Sequence, residues 1–234
     1  MWTCPTCATA AAATRGREIA GAYELAKARG WRVLFITLTV PHGAGDDLEA
    51  LRRAVADAWR SVRQARGWRA AREAVGWVGE IRALEVTHGR HGWHPHLHLL
   101  AFIEAGAPDL DAIRRALLAA WRAAVAARGL AEPSDAHGVH VSEARSDSVA
   151  AYAAKLGLVR RTAAEIAGAV AKQGRAGGRT PYQILEAVAR HGRSRDRAIW
   201  ADWARGIRGA RSLTWSRALV VALVLPIKGA LFFL

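Results

Sequence analysis

Between Trp93 and Phe102 the chain reads Trp-His-Pro-His-Leu-His-Leu-Leu-Ala-Phe. Histidines at alternate positions that run into an apolar segment restrict the local fold severely. In a strand, successive side chains point to opposite faces. His96 and His98 therefore project from one face, and Leu97, Leu99 and Ala101 from the other. Two imidazoles side by side on a rigid strand make half of a divalent-metal site. A pair of histidines on a solvated sheet edge is the plainer alternative. A third histidine, His94, the apolar run behind His98 and the partners described next favour metal.

Residues 77–86 (Trp-Val-Gly-Glu-Ile-Arg-Ala-Leu-Glu-Val) read as a preceding strand, and residues 87–95 as a loop rich in His and Gly. Strands joined by a short connection pair antiparallel. With the loop centred near Arg90 and His91, Glu85 falls opposite His96; with the centre slipped by one, it falls opposite His98. Either register puts a carboxylate on the face of the two imidazoles. Two histidines and a carboxylate suit Mn²⁺ or Mg²⁺, with positions left open for substrate. An earlier strand is expected over 33–40, where Thr37 and Thr39 share a face, and a fourth over 139–143.

Helices are expected around these strands. One covers 15–28. A second is capped by Asp46 or Asp47, carries the stripe Leu48, Leu51, Val55, Trp59 and Val62, and ends at Gly67. A third covers 108–128, with Leu110, Ile113, Leu117, Trp121 and Val125 on its stripe. Ser146-Asp147-Ser148 can cap a further helix over 149–156, where Tyr152 and Lys155 share a face. Spacing alone favours a packed tyrosine and a solvated lysine there. Residues 172–181 read as a basic loop, and 182–189 and 199–207 as helical. Their tryptophans and arginines suit either base stacking or the core of a small helical unit.

The formal charge of +14 and the pI near 11.2 call for a polyanionic partner, nucleic acid before an anionic membrane surface. Residues 159–234 hold fourteen Lys and Arg against four Asp and Glu, so much of the excess lies late in the chain. Cys4 and Cys7 are too few for a disulfide framework, and no secretory leader is visible, which implies a reducing, cytoplasmic setting. Their Cys-x-x-Cys spacing gives half of a structural Zn²⁺ site, read as an incomplete or trimmed zinc knuckle. The apolar tail is interrupted by Pro226 and Lys228 and falls short of the roughly 18 uninterrupted apolar residues of a membrane span, so a membrane partner is not expected. The chain divides into an N-terminal segment (1–30), a strand-bearing unit (31–158), a basic helical extension (159–217) and the tail (218–234).

Three pieces stand in order: Phe35-Ile36-Thr37-Leu38-Thr39-Val40-Pro41; Glu85-Val86-Thr87 through His94-Pro95-His96-Leu97-His98-Leu99-Leu100; and Ala151-Tyr152-Ala153-Ala154-Lys155. Together they resemble the rolling-circle replication initiators (Rep proteins) of small bacterial plasmids, in the HUH endonuclease superfamily. Residues 174–181 and Leu213-Thr214-Trp215-Ser216 add a likeness to actinobacterial plasmid members. The resemblance runs from about Trp31 to Arg217, and its middle piece is the most specific.

The resemblance implies an α+β fold: an antiparallel sheet flanked by helices, of the HUH endonuclease and RRM-like kind, with a helical basic C-terminal extension. It makes His96 and His98 the metal pair, Glu85 a third ligand and His94 a supporting residue. Tyr152 becomes the nucleophile, with Lys155 steadying phosphate or tyrosinate. The activity implied is nicking and joining of single-stranded or extruded plasmid origin DNA through a 5′-phosphotyrosine, with Mn²⁺ or Mg²⁺. Arg160, Arg161, Lys172, Arg175 and Arg179 become DNA contacts, host helicase and polymerase become partners, and a dimer stays open. The sequence departs from relatives that carry a glutamate one turn before the tyrosine and use it for hydrolytic termination. Ser148 stands there, with Asp147 beside it. The competing readings are a non-catalytic basic DNA-binding protein with a structural metal, and a transposase or relaxase of the same superfamily. Relaxases usually place the tyrosine before the histidines; here Tyr152 follows them, which favours Rep.

Overall fold

The structure is a computed structural model and describes residues 3–104, 106, 108–144 and 178–224. Its centre is an antiparallel sheet of five strands: β1 (Arg32–Leu38), β2 (Trp77–Gly89), β3 (Gly92–Ile103), β4 (Val139–Glu143) and β5 (Leu213–Trp215). Their spatial order is β4-β1-β3-β2-β5. Helices α1 (Pro5–Ala28), α2 (Leu48–Val62), α3 (Arg66–Ala74), α4 (Leu110–Ala126), α5 (Pro181–His191), α6 (Ser194–Gly206) and α7 (Arg217–Val224) surround it. The α+β class expected from the sequence is what folds.

Strand alternation divides the sheet into two differently covered faces. Leu34, Ile36, Leu38, Leu97, Leu99, Ala101 and Ile103 pack against α2 and α4 in the main core. The sequence stripes of both helices are the faces they bury, including Val55 and Leu117 at 0% exposure. Trp121 is fully buried, and its indole Nε1 donates to Thr39 O at 2.8 Å, so the polar edge of a large ring is satisfied. On the other face, Ile19, Ala22, Tyr23 and Ala26 of α1 cover Val33, Ile81, Leu100 and Phe102.

Several boundaries differ from the sequence reading. α1 begins ten residues early, at Pro5, with the Cys4 Sγ accepting from Cys7 N as its cap. Its first turns are an alanine-rich run with no apolar period to detect, yet alanine is the best helix former and Pro5 suits the first turn. Asp47, not Asp46, caps α2, and Asp46 accepts from Gly43 N. α2 stops at Val62, and Gly67 lies inside α3 rather than ending a helix. Burial of Trp68, set edge-on to Trp77 at 5.2 Å, holds that short helix down. The basic C-terminal part also returns to the sheet. Leu213–Trp215 pairs with Ile81–Ala83, so it adds an edge strand as well as helices.

The expected loop over 87–95 is mostly strand. β2 and β3 run on to a hairpin whose turn is only Arg90 and His91, between paired Gly89 and Gly92. Pro95 argues against a central strand, but β3 pairs with β1 only as far as Leu97. At Pro95 it has β2 alone beside it, an edge position where a missing N–H is tolerated. The turn is held from outside as well. Gly92 has φ 82°, and a Cβ there would meet Gly43 O at 2.8 Å.

Candidate metal centre

The tight hairpin fixes the register, and the register builds the site. Glu85 pairs directly with His96, and Ala83 with His98. This is the first of the two registers left open by the sequence. One carboxylate oxygen, Glu85 Oε2, lies 3.1 Å from His96 Nε2 and 2.8 Å from His98 Nε2. These three side chains are the only His, Cys, Asp and Glu cluster among the described residues with metal-ligand spacing, all ligand atoms lying within 4.8 Å of one another. Side-chain exposure is 11% for His96, 9% for His98 and 28% for Glu85, so the cluster is shallow and opens beside the carboxylate.

Nearby groups orient the two imidazoles. Thr37, opposite His98 on β1, puts its Oγ1 3.0 Å from His98 Nδ1. With Nδ1–H donating to that hydroxyl, Nε2 would present its lone pair to a cation held beside Glu85. Phe35 stacks on His98 at 5.1 Å and 22°, and fixes the ring plane. His96 Nδ1 lies 3.3 Å from His94 O, so its Nε2 also points toward the carboxylate.

The electrostatics favour an ionised carboxylate. Burial alone would raise the Glu85 pKa, but the hydrogen bonds and charge of His96 and His98 outweigh it and hold the group well below the usual carboxylate range. His94 is lowered as well, which for an imidazole favours the neutral form. Burial, with His96 and His42 beside it, pushes it down to about 4. A neutral His94 stacks on His42 at 4.5 Å and lies 4.9 Å from His96. Past this pair a cavity of about 470 Å³ opens, lined in part by His42, His91, His94 and His137.

The donor set fits a divalent ion. An octahedral ion with bonds of about 2.1 Å places neighbouring ligand atoms about 3 Å apart, close to the 2.8 and 3.1 Å seen here. Two imidazoles and one carboxylate leave other positions for substrate oxygens.

The other expected site residues are spread differently. Tyr152, Lys155, Asp147, Arg160, Arg161, Lys172 and Arg175 lie outside the described residues. Arg179 is described: its guanidinium pairs with the buried Asp196 at 2.8 Å, and its backbone bridges to His88. Cys4 and Cys7 are exposed at the start of α1, and no third ligand group joins them among the described residues. The roles of Thr37, Phe35 and His42 are absent from the sequence reading. Each follows from a contact distant in the chain, and only the shared face of Thr37 and Thr39 hinted at it.

Residues 1–107 match a family model described as "Replication protein", a span that holds Glu85, His96 and His98 and stops short of Tyr152. The chain is 28% identical over 281 aligned positions to a protein named "Protein rep" from Streptomyces lividans, an alignment covering 94% of this chain. This chain spans 62% of that relative's length. No solved structure matches. Both comparisons bear out the resemblance read from the sequence: the chain is similar to Rep replication proteins.

Proposed function

We propose that the chain starts plasmid replication by nicking and rejoining single-stranded origin DNA. Glu85, His96 and His98 would hold Mn²⁺ or Mg²⁺, and Tyr152 would act as nucleophile. The observation that carries the reading is the convergence of both Nε2 atoms on one carboxylate oxygen. The likeness to Rep proteins supplies the DNA partner.

When bound, the ion supplies charge to a scissile phosphate and fixes its geometry. The chain's residues do the rest. The Tyr152 oxygen bonds to phosphorus as the bond to the 3′ oxygen breaks; the phenol proton leaves, and the 3′ oxygen takes one up. This leaves a 5′-phosphotyrosine and a 3′-OH that a host polymerase can extend. The covalent bond keeps the energy for rejoining. A phenol with a pKa near 10 is a weak nucleophile at neutral pH, so Lys155 would favour its ionised form. Thr37 and Phe35 hold His98 in position throughout. Arg160, Arg161, Lys172, Arg175 and Arg179 would contact DNA phosphates, with host helicase as a further partner. Cys4 and Cys7 would hold Zn²⁺ only with ligands from elsewhere.

The test is incubation of the full chain with single-stranded origin DNA and Mn²⁺. A covalent protein–DNA adduct is expected from the natural chain and none from Tyr152→Phe or His98→Ala. An adduct with Tyr152→Phe would overturn the choice of nucleophile. DNA binding without cleavage under any metal would leave the cluster a structural site.

A further inference from the structure

The sheet edge at β5 is hollowed on the face turned away from the histidines. Glu80 and Arg82 alternate along β2 with Ile81, Ala83 and Glu85, so they point to the opposite side. Two hollows of about 310 and 230 Å³ share Arg63, Glu80 and Ser216 and form one groove. Arg60, Arg63, Arg82 and Arg211 line the first, and Arg69, Arg72 and Arg217 extend it along the second. Against these seven guanidinium groups the lining offers two carboxylates, Glu73 and Glu80. Glu80 is already engaged: it is 5% exposed, accepts from Trp77 Nε1 at 3.0 Å and faces Arg63 at 3.7 Å.

Arginine is common throughout this chain, and many of the others pair with a carboxylate. Arg53 with Glu49, Arg115 with Asp109 and Arg190 with Glu186 are examples. Among the described residues Arg69, Arg72, Arg82, Arg211 and Arg217 have no ion pair. Arg72 Nε is buried without a hydrogen-bond partner. Burial, opposed by Glu80 and reinforced by neighbouring guanidinium groups, lowers the pKa of both Arg72 and Arg82. Arg60 pairs with Asp57 and Arg63 with Glu80, and the other five bring positive charge here with no paired carboxylate. Arg60 and Arg63 at the C-terminal end of α2, and Arg69 and Arg72 in α3, stand three residues apart, about 5–6 Å between Cβ atoms, as rows of forked donors. Of the tryptophans on the lining, Trp59 is buried, Trp77 donates its Nε1 to Glu80 and Trp215 packs against the second core, so guanidinium groups rather than ring faces dominate the groove.

We propose that this groove binds the phosphate backbone of duplex DNA flanking the strand that enters the histidine face. The inference rests on DNA being the partner, as proposed above. A duplex offers a regular row of phosphates, and rigid arginine rows suit it better than a flexible strand. DNA held here and cut at the histidines would curve round the β5 edge.

The experiment uses the full chain and a labelled hairpin carrying a duplex arm and a single-stranded target. Arg69→Gln, Arg211→Gln and Arg217→Gln are combined in one variant; all three are exposed, and none has an ion pair to orphan. A control combines Arg53→Gln, Arg115→Gln and Arg190→Gln, with the same charge loss elsewhere. The groove variant should bind the hairpin about tenfold or more weakly and lose about two to three from the salt slope of log K. Its affinity for the single-stranded target alone, and for Mn²⁺, should stay as in the natural chain, and the control should keep hairpin affinity. An equal loss in the control, or no loss in the groove variant, would overturn the groove. No DNA binding by the natural chain would sink the DNA reading and the groove together.

Discussion

One hydroxyl decides which nitrogen His98 offers to a cation. Thr37 Oγ1 engages Nδ1, and Nε2 is left to face Glu85. Partners of this kind, one bond removed from the metal, typically change affinity by about 10- to 100-fold. Thr37→Val keeps a β-branched side chain of similar shape in a strand, so the fold should survive. Its Mn²⁺ affinity, measured by calorimetry, should fall within that range; unchanged affinity would show that His98 needs no partner at Nδ1. Thr37 also shows where sequence reasoning stops at this scale. Glu85, His96 and His98 lie within fourteen residues of one another, and alternation plus one turn places them. Thr37 is 61 residues from His98, and only the fold says that β1 lies beside β3.

At the scale of elements, the hairpin of β2 and β3 is the scaffold of the site, and its turn is the part under most constraint. Gly92 combines a left-handed backbone with backbone atoms of Gly43 and Ala44 packed against it. Gly92→Ala should cost on the order of 1–3 kcal/mol, read as a lowered midpoint in urea unfolding. A neutral effect would show that the turn relaxes without disturbing its neighbours. The stripes of α2 and α4 were legible because they repeat at helical spacing over fifteen and seventeen residues. β5 was not, because three residues carry no period, and Trp215 suits a core or a base-stacking surface equally well. α1 hid its first ten residues for the opposite reason: an alanine-rich run has propensity but no apolar period.

At the scale of the whole molecule, the sheet is used on both sides and at its edge. One face packs against α2 and α4; the other packs against α1 at one end and carries the histidines at the other. The charge excess was visible in the sequence and its late concentration was countable, but the arginine groove was not. Its members come from residues 60 to 217 and meet only once β5 has paired with β2.

The candidate ligands sit on one hairpin with a two-residue turn, so they assemble from a local stretch of chain, whereas Thr37 and the cores require distant segments to meet. Hairpins close in about 1–10 μs, far ahead of long-range strand pairing, although one hairpin alone is marginal in water. A cation that clamps Glu85 to His96 and His98 would steady that early fragment before the rest arrives. Mn²⁺ should then quicken refolding, followed by stopped-flow tryptophan fluorescence, and not merely slow unfolding. If it changed only the unfolding rate, the cation would be captured after the folding barrier, by a sheet already complete.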